Sequence, residues 1–459
     1  MSQTAFSSLK LNPALLENIA SLGYQSMTPI QAQGLPHILD GKDVIAQAKT
    51  GSGKTAAFGL GLLEKLDVKK FRVQTLVLCP TRELADQVAK EIRKLARTIH
   101  NIKVLSICGG MPFGPQVGSL EHGAHIIVGT PGRVDDHLRR GTLKLDSVTT
   151  LVLDEADRML DMGFQETLDA IIEHIPAQRQ TLLFSATYPK QIQAIAARIM
   201  IQPVIVKATD SHDNSSIQQY LYKVENSDRL IALRLLLQHY RPESALVFCN
   251  TKLEVQEVAD ELCRHNFSAV AIHGDLEQRD RDQTLIRFAS KSASILVATD
   301  VAARGLDIDA LDAVINYNVA RELEVHVHRV GRTGRAGSKG IACTLFDEKE
   351  THKVARLEEY LGHAIEVQNL PPYSLLNKPT YQPPMIILQI DGGKKQKVRA
   401  GDILGALTGA EGIDGKQVGK IQIFDNSAYV AISRNAASQA LNKLQNGKLK
   451  GRSFRVRQL

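Results

Sequence analysis

No apolar run in the 459-residue chain approaches the roughly 20 residues needed to cross a bilayer. The opening residues, MSQTAFSSLK, lack the basic-then-apolar pattern of a secretory signal. The expected setting is therefore the cytoplasm, with no membrane partner. Cysteine is sparse: Cys79, Cys108, Cys249, Cys263 and Cys343 are the only five. None forms a C-x-x-C pair, which speaks against zinc. Most lie in apolar runs such as LVLCP and LVFCN, where a buried, reduced thiol is the ordinary reading. Net charge is nearly absent from residues 1–383, which hold 43 Lys and Arg against 44 Asp and Glu. Residues 384–459 hold 13 against 5, and so carry all of the chain's net +7. That asymmetry argues against long-range attraction of a polyanion to the bulk of the chain and predicts a polyanion-binding appendage at its end.

What is present has the composition of a globular protein, 43% apolar and 23% charged. TLVLCP, HIIVGT, TLVLDEAD and QTLLFSAT are short apolar runs ending in polar residues, and RELADQVAKEIRKLAR has helical apolar spacing. The rhythm returns in ALVFCN, SAVAIHG, SILVATD and DAVINYN. Strands alternating with helices imply parallel α/β sheets covered on both faces. Length suggests about three domains. The polar stretch KATDSHDNSSIQ, residues 207–218, separates two α/β domains expected at 1–207 and 218–370. LPPYSLLNKPTYQPPM holds five of the sixteen prolines and reads as an extended, fairly stiff linker. It precedes a third domain expected at 384–459. There MIILQI, GDILGALTG, VGKIQIF, AYVAI, SRNAASQALNKLQNG and RSFRVR read as β, α, β, β, α, β, with Asp402 and Ser433 as helix caps. That order belongs to the RNA-recognition motif, and equally to a ferredoxin-like fold with another role.

AKTGSGKT, residues 48–55, lies between the strand-like DVIAQ and the helix-like AAFGLGLLEKL. In this context the loop cradles phosphates. Thr50, Gly51, Ser52 and Gly53 present backbone N–H groups, Lys54 adds charge at the outer phosphates, and the Thr55 hydroxyl can hold Mg²⁺. Ala48 stands where the widest form of this loop has glycine. Further on, the apolar residues Leu151 to Leu153 end in Asp154, Glu155 and Asp157. Burying carboxylates without partners is expensive. Asp154 is the expected partner of a nucleotide-borne Mg²⁺, and Glu155 is placed to orient or deprotonate an attacking water. A nucleotide and the Mg²⁺ it carries are the expected cofactors.

With these motifs in place, the chain resembles the DEAD-box RNA helicases over about residues 1–365, in the family's order. Phe6 and GYQSMTPIQ, ending at Gln31, resemble the adenine-reading Q motif. PTRELA (80–85), Gly109–Gly110, TPGR (130–133), DEAD (154–157) and SAT (185–187) follow. Then come LVFCNT (246–251), HGD (273–275), Gln278 with Arg281, ATDVAARGLDI (298–308) and HRVGRTGR (328–335). The resemblance implies two tandem RecA-like parallel-sheet domains and RNA-dependent ATP hydrolysis that remodels short duplexes. It implies Arg332 and Arg335 as arginine fingers for the γ-phosphate and Asp307 near the ribose. Asp157, Ser185, Thr187 and His328 are implied as coupling residues. Contacts to the RNA backbone are implied for Thr81, Arg82, Gly110, Thr130, Arg133, Gly274, Gln278, Arg281, Thr299 and Asp300, although Asp300 reads more readily as a helix cap or as a group that supports such a contact.

IDGGKKQKVRAGDILGALTG, SAYVAI and GKLKGRSFRVR resemble the RNA-binding domain of one bacterial branch, the DEAD-box protein A subgroup. This implies a small α+β, RNA-recognition-motif-like domain directed to a hairpin region of 23S rRNA. Pre-50S particles are the implied setting, assembly of the large ribosomal subunit the implied role, and no obligate protein partner is evident. DNSAYVAI stands where the motif's aromatic third strand belongs and keeps only Tyr429. A base-stacking sheet is therefore not expected. Lys394, Lys395, Lys397, Lys448, Lys450, Arg452, Arg455 and Arg457 are the candidates for phosphates and folded RNA shape.

Overall fold

A strand buried on both faces needs apolar side chains at nearly every position rather than at every second one. TLVL at Thr75–Leu78, IIVG at Ile126–Gly129 and TLVL at Thr150–Leu153 are such strands, buried along their whole length. The computed structural model describes residues 4–48, 51–207, 217–303, 306, 308, 310–334, 340–410 and 412–459. Thr50, Asp307, Arg335 and most of the 207–218 linker lie outside the described residues. The chain divides into two units, residues 1–212 with 305–307 and residues 213–304 with 308–459. Among the described residues no helix is long and apolar enough to cross a membrane.

The first unit holds a seven-stranded sheet. Its strands are β1 (Val44–Gln47), β2 (Thr75–Leu78), β3 (Val104–Ile107), β4 (Ile126–Gly129), β5 (Thr150–Leu153), β6 (Gln180–Ser185) and β7 (Val204–Lys207). They lie in the order β3-β4-β2-β5-β6-β1-β7, and every pair is parallel. Loops that follow parallel strands emerge at one edge of the sheet, where ligands of such sheets bind. PTRELA, Gly109–Gly110 and TPGR follow the neighbours β2, β3 and β4. The phosphate loop, DEAD and SAT follow the neighbours β1, β5 and β6. One edge thus carries two adjacent groups of motifs. Asp43 pins the strand that feeds the phosphate loop. Its buried carboxylate accepts the Thr181 and Ile201 N–H groups, both at 2.7 Å, one on each side of β1.

The second unit repeats the plan with β8 (Ile217–Lys223), β9 (Ala245–Phe248), β10 (Ala269–Ile272), β11 (Ile295–Ala298), β12 (Ala313–Asn316), β13 (Gly340–Phe346) and β14 (Glu366–Val367). The order is β10-β11-β9-β12-β13-β8-β14, again all parallel. The same unit contains the C-terminal sheet of β15 (Met385–Ile390), β16 (Val418–Ile423), β17 (Ala428–Ser433) and β18 (Val456–Gln458), antiparallel in the order β16-β17-β15-β18. Helices Ala400–Thr408 and Ala437–Asn446 complete the βαββαβ string. Two capping expectations change. Asp402 is the third residue of its helix rather than its cap, because Ala400 and Gly401 open the first turn, and it accepts the Arg399 N–H at 2.8 Å. Ser433 precedes a short 3₁₀ turn, Arg434–Ala436, and its side chain makes no capping bond.

The proline-rich segment is not a free spacer. Gln238 Nε2 donates to Lys378 O at 2.8 Å and Arg241 Nη1 to Pro379 O at 2.9 Å. Thr380 Oγ1 and Gln382 Nε2 donate to Asn266 O at 2.6 and 3.0 Å. Proline removes donors but leaves carbonyls: two side chains of the α/β domain take carbonyls of the strap, and two side chains of the strap take the Asn266 carbonyl of the domain. The C-terminal sheet that follows is docked. Side chains alternate between its faces. Leu388, Ile390, Val430 and Ile432 pack with residues of the domain's own helices, whereas Ile387, Tyr429 and Ala431 pack against Ile286 of the helix Gln278–Ala289. Gln283 Nε2 reaches Gln389 Oε1 at 3.1 Å and the Tyr429 hydroxyl at 3.4 Å. Tyr429 is 4% exposed, so the one aromatic left of the stacking pattern is spent on this contact.

Replacing Ile286 by Asp would bury an unpaired carboxylate in that contact, a cost of about 2 kcal/mol or more. The expected outcome is release of the C-terminal domain, read as faster proteolytic cleavage within residues 370–384. Unchanged cleavage would show that this face is held by something else.

Candidate functional site

The phosphate loop is shaped by two glycines and a brace. Gly51 and Gly53 have φ of 83° and 90°, a region costly for any residue with a Cβ. At Gly53 a Cβ would meet Gln31 Nε2 at 2.5 Å. The approach is close because Gln31, 2% exposed, spans the gap. Its Oε1 accepts the Thr28 N–H at 2.9 Å and its Nε2 donates to Gly53 O at 3.0 Å. Lys54 opens the 12-residue helix Lys54–Lys65, with its buried ammonium held on Ala48 O at 3.0 Å. A helix N-terminus beside a lysine is an anion site in both dipole and charge. Ser52 and Thr55 flank it, half-buried. Phe6, buried on the turn Phe6–Ser8, meets Tyr24 edge-on with ring centroids 6.3 Å apart.

Three carboxylates follow β5, and each is handled differently. Asp154 is 2% exposed. Burial pushes its pKa up to about 6 against the pull of Lys54, and its Oδ1 accepts the Glu155 N–H at 3.0 Å. Glu155 is buried with φ 51° and ψ 52°. That left-handed conformation is strained for a side-chain-bearing residue and gathers at functional sites. Asp157 is satisfied. Burial opposes its ionisation, but Arg158 and Thr187 outweigh it and hold the pKa below the ordinary range. Its Oδ2 accepts from Thr187 N at 3.0 Å and Oγ1 at 2.9 Å. DEAD and SAT are thereby joined directly. Ser185 O accepts the Ala48 N–H at 3.0 Å, tying β6 to the loop, while the Ser185 hydroxyl is buried without a hydrogen-bond partner among the described residues. Thr55 and Asp154 offer hard oxygens, and an ionised carboxylate opposed by burial is what a divalent cation would relieve. The donor set fits Mg²⁺.

Beside this group, the other half of the edge converges on the loop after β3. Arg133 Nη1 donates to Met111 O and to Gln116 Oε1, both at 2.9 Å, and Arg82 Nη2 lies 3.2 Å from Met111 Sδ. Gly110, with φ 72°, is exposed between them. Thr130 Oγ1 accepts the Gly109 N–H at 3.4 Å, and Thr81 Oγ1 caps Leu84 N at 3.3 Å. Thr81, Arg82, Gly110, Thr130 and Arg133 are therefore brought together, with two of the hydroxyls already holding the scaffold.

In the second unit a buried arginine that sequence reading left unassigned does the organising. Arg329, 1% exposed, pairs with both oxygens of Asp300 at 2.7 Å. It also donates to Asn318 O at 2.8 Å, Asn250 Oδ1 at 3.2 Å and Asn316 Oδ1 at 3.3 Å. These groups lie at or just past the ends of the neighbouring strands β11, β9 and β12. Asp300 is thus the structural half of an ion pair in this arrangement. Thr299 Oγ1 accepts the Ala302 N–H at 3.3 Å; Gln278 Nε2 donates to Asp282 at 2.8 Å, and Arg281 Nη1 to His273 O at 3.3 Å. Among the described residues nothing lies within 4 Å of where a Cβ on Gly274 would stand. His328 lies on the helix Leu323–Val330 that carries Arg329, and Arg332, buried, follows its end.

Comparison with known proteins accounts for both groups of motifs. The family described as DEAD/DEAH box helicase matches residues 28–195, and the one described as Helicase conserved C-terminal domain matches residues 225–337. The chain is 52% identical to the ATP-dependent RNA helicase DbpA of Escherichia coli, over 99% of this chain and 100% of that one. The chain belongs to the DEAD-box family of ATP-dependent RNA helicases. The DbpA of Bacillus subtilis is 37% identical over 98% of each chain. The solved structure of Saccharomyces cerevisiae Dbp5 bound to RNA and ADP BeF3 is similar over 80% of this chain and 96% of that one, with 30% identity and a TM-score of 0.72.

This DEAD-box helicase also carries the family described as DbpA RNA binding domain, over residues 387–458. There the sequence-predicted cations do not all share one role. Lys394, Lys395, Lys397, Lys448, Lys450, Arg452 and Arg455 are exposed. Two of their loops abut: Lys450 Nζ donates to Lys397 O at 2.9 Å and pairs with Asp402 at 3.1 Å. Arg457 is half-buried instead, with Nε and Nη2 on Gln389 Oε1 at 3.3 and 3.1 Å, the oxygen that Gln283 also reaches. It braces the docked face.

Asp154 must be ionised to hold a cation, and its pKa is pushed up to about 6 by burial. Magnesium-dependent nucleotide affinity should therefore weaken as pH falls through about 6, while the metal-independent part changes less. Titration of an ATP analogue between pH 5 and 7.5, with magnesium and with EDTA, checks this. The sign for folding is opposite: the native state binds this proton more tightly than the unfolded chain, so this group favours folding as pH falls from about 6 towards 4.

Proposed function

We propose that this helicase is directed by its C-terminal domain to a hairpin region of 23S rRNA and remodels short duplexes beside it in pre-50S particles, during large-subunit assembly in the cytoplasm. The observation that carries the reading is the exposed basic cluster Lys394–Lys397 and Lys448–Arg452 within the match to the DbpA RNA binding domain. Its density of cations outside the docked face suits phosphates and folded RNA shape. The proposed domains are residues 1–207, 218–370 and 384–459.

In this reading Phe6 and Gln31 bind adenine, Thr50 to Thr55 wrap the phosphates, and Asp307 meets the ribose. Thr55 and Asp154 hold Mg²⁺, which supplies charge neutralisation at the outer phosphates when bound. Glu155 accepts a proton from the water that attacks the γ-phosphate, and its fixed backbone keeps the carboxylate aimed. Lys54, Arg332 and Arg335 stabilise charge that grows in the transition state. Thr81, Arg82, Gly110, Thr130, Arg133, Gly274, Gln278, Arg281 and Thr299 contact the RNA backbone, with Asp300 in support. Asp157, Ser185, Thr187 and His328 couple the nucleotide to that grip. The Asp157–Thr187 bonds support this coupling, since SAT must either carry DEAD with it or break two hydrogen bonds when it moves.

Glu155→Gln should lower turnover roughly 100-fold or more, the usual contribution of a positioned base, while ATP and RNA still bind. Near wild-type turnover in the purified variant would remove Glu155 from this role. For the C-terminal domain, alanine at Arg452 and Arg455 should weaken 23S hairpin binding more than Tyr429→Phe. The slope of log affinity against log salt should flatten by roughly 0.7 to 0.9 for each phosphate that the variant no longer neutralises. Titration at several salt concentrations decides it, and a larger loss from Tyr429→Phe would show that the sheet face reads RNA.

A further inference from the structure

Beneath the RNA-facing loop after β3 lies a buried polar pair that ATP chemistry does not use. Gln116, on the helix Phe113–Glu121, is 8% exposed, and His137, on the helix Pro131–Arg139, is fully buried. Gln116 Nε2 donates to Cys108 O at 2.9 Å, at the end of β3. Gln116 Oε1 accepts from Arg133 Nη1 at 2.9 Å and lies 3.0 Å from His137 Nε2. An amide oxygen can only accept, so Nε2 of His137 carries the proton. Nδ1 then faces Thr142 Oγ1 at 2.8 Å. The imidazole stacks on Phe113 with centroids 4.1 Å apart and planes 15° apart. Burial first, and then Arg133, lower the His137 pKa against the pull of Asp136, which keeps one N–H and one lone pair. The same Arg133 nitrogen that meets Gln116 also donates to Met111 O, beside Gly110.

We propose that Gln116 and His137 are positioning residues for RNA binding: they fix Arg133 and the Gly109–Gly110 turn in the gripping geometry without touching RNA themselves. The inference rests on the proposed role of Arg133 as an RNA contact. Packing alone gives no reason for this pair. Two helices can be joined by apolar side chains at no polar cost, and a buried amide and imidazole are worth placing only where every atom is satisfied. Here the set closes on one guanidinium. His137 orients Gln116, Gln116 orients Arg133, and Arg133 holds the loop carbonyl.

The test is a double-mutant cycle in the full chain with Gln116→Leu, Arg133→Ala and the double variant. The readout is equilibrium binding of a labelled single-stranded oligouridine in the presence of ADP–beryllium fluoride, with nucleotide affinity and thermal unfolding measured alongside. Gln116→Leu should weaken RNA binding roughly tenfold, the usual scale for removing a hydrogen bond to a charged group, with nucleotide affinity unmoved. In the Arg133→Ala background it should add nothing. Gln116→Glu, which keeps the acceptor for Arg133 but gives up the donor to Cys108 O, should bind RNA more tightly than Gln116→Leu while unfolding at a lower temperature than the unaltered chain. Full additivity in the cycle, or loss of RNA and nucleotide binding together, overturns the proposal in favour of a purely structural pair. If Arg133→Ala by itself leaves RNA binding intact, the reading of Arg133 fails first and this inference goes with it.

Discussion

Three carboxylates within four positions, all nearly removed from water at the end of β5, set the terms for the first unit. A buried charge must find a partner or lose its ionisation. Asp157 finds Thr187 and Arg158, and Asp154 is left facing Lys54 with its pKa raised. Glu155 is held on a backbone that a free chain would avoid. Such an arrangement is poor as a folding device and sensible as a receptor for a cation carried in on a phosphate-bearing ligand. Its neighbours then become intelligible. Asp43 fixes the strand that delivers the loop, Gln31 props the loop from beneath, and Ser185 ties the adjacent strand to it.

The parallel sheet turns that local constraint into a division of labour. Because every strand runs the same way, the order β3-β4-β2-β5-β6-β1-β7 decides which motifs are neighbours. Motifs far apart in sequence, such as Gly109–Gly110 and TPGR, share a few loops that hold one another by hydrogen bonds. The second unit solves the same problem differently. A single guanidinium, that of Arg329, gathers the ends of three strands by donating to Asp300, Asn250, Asn316 and Asn318.

Strands such as TLVL and ALVF were legible because a strand buried on both faces leaves an unbroken apolar run. The phosphate loop was legible because its spacing follows from phosphate geometry. Other features were not, for physical reasons. Arg329 sits inside a quoted motif, but whether an arginine faces a ligand or a buried carboxylate depends on partners such as Asp300 and Asn250, 29 and 79 residues away. Gln116 and His137 have no periodicity or spacing to mark them. The strap reads as a spacer because proline content reports stiffness and says nothing about which side chains take its carbonyls. The missing aromatics of DNSAYVAI were visible and argued against stacking, but only the fold shows that Tyr429 and its neighbours are occupied by Ile286 and Gln283.

That occupied face limits how modular the third domain can be. A domain held only by a tether can be exchanged between helicases or removed without harm to its host. Here, removal would uncover Ile286 and strand Gln283, and the isolated domain would present Ile387, Tyr429 and Ala431 to water. An exposed apolar patch invites association. Grafting this RNA-binding domain onto another helicase would therefore require carrying over the receiving helix, Gln278–Ala289, as well. Natural exchange of such domains would be expected to leave matched substitutions on both sides of the contact.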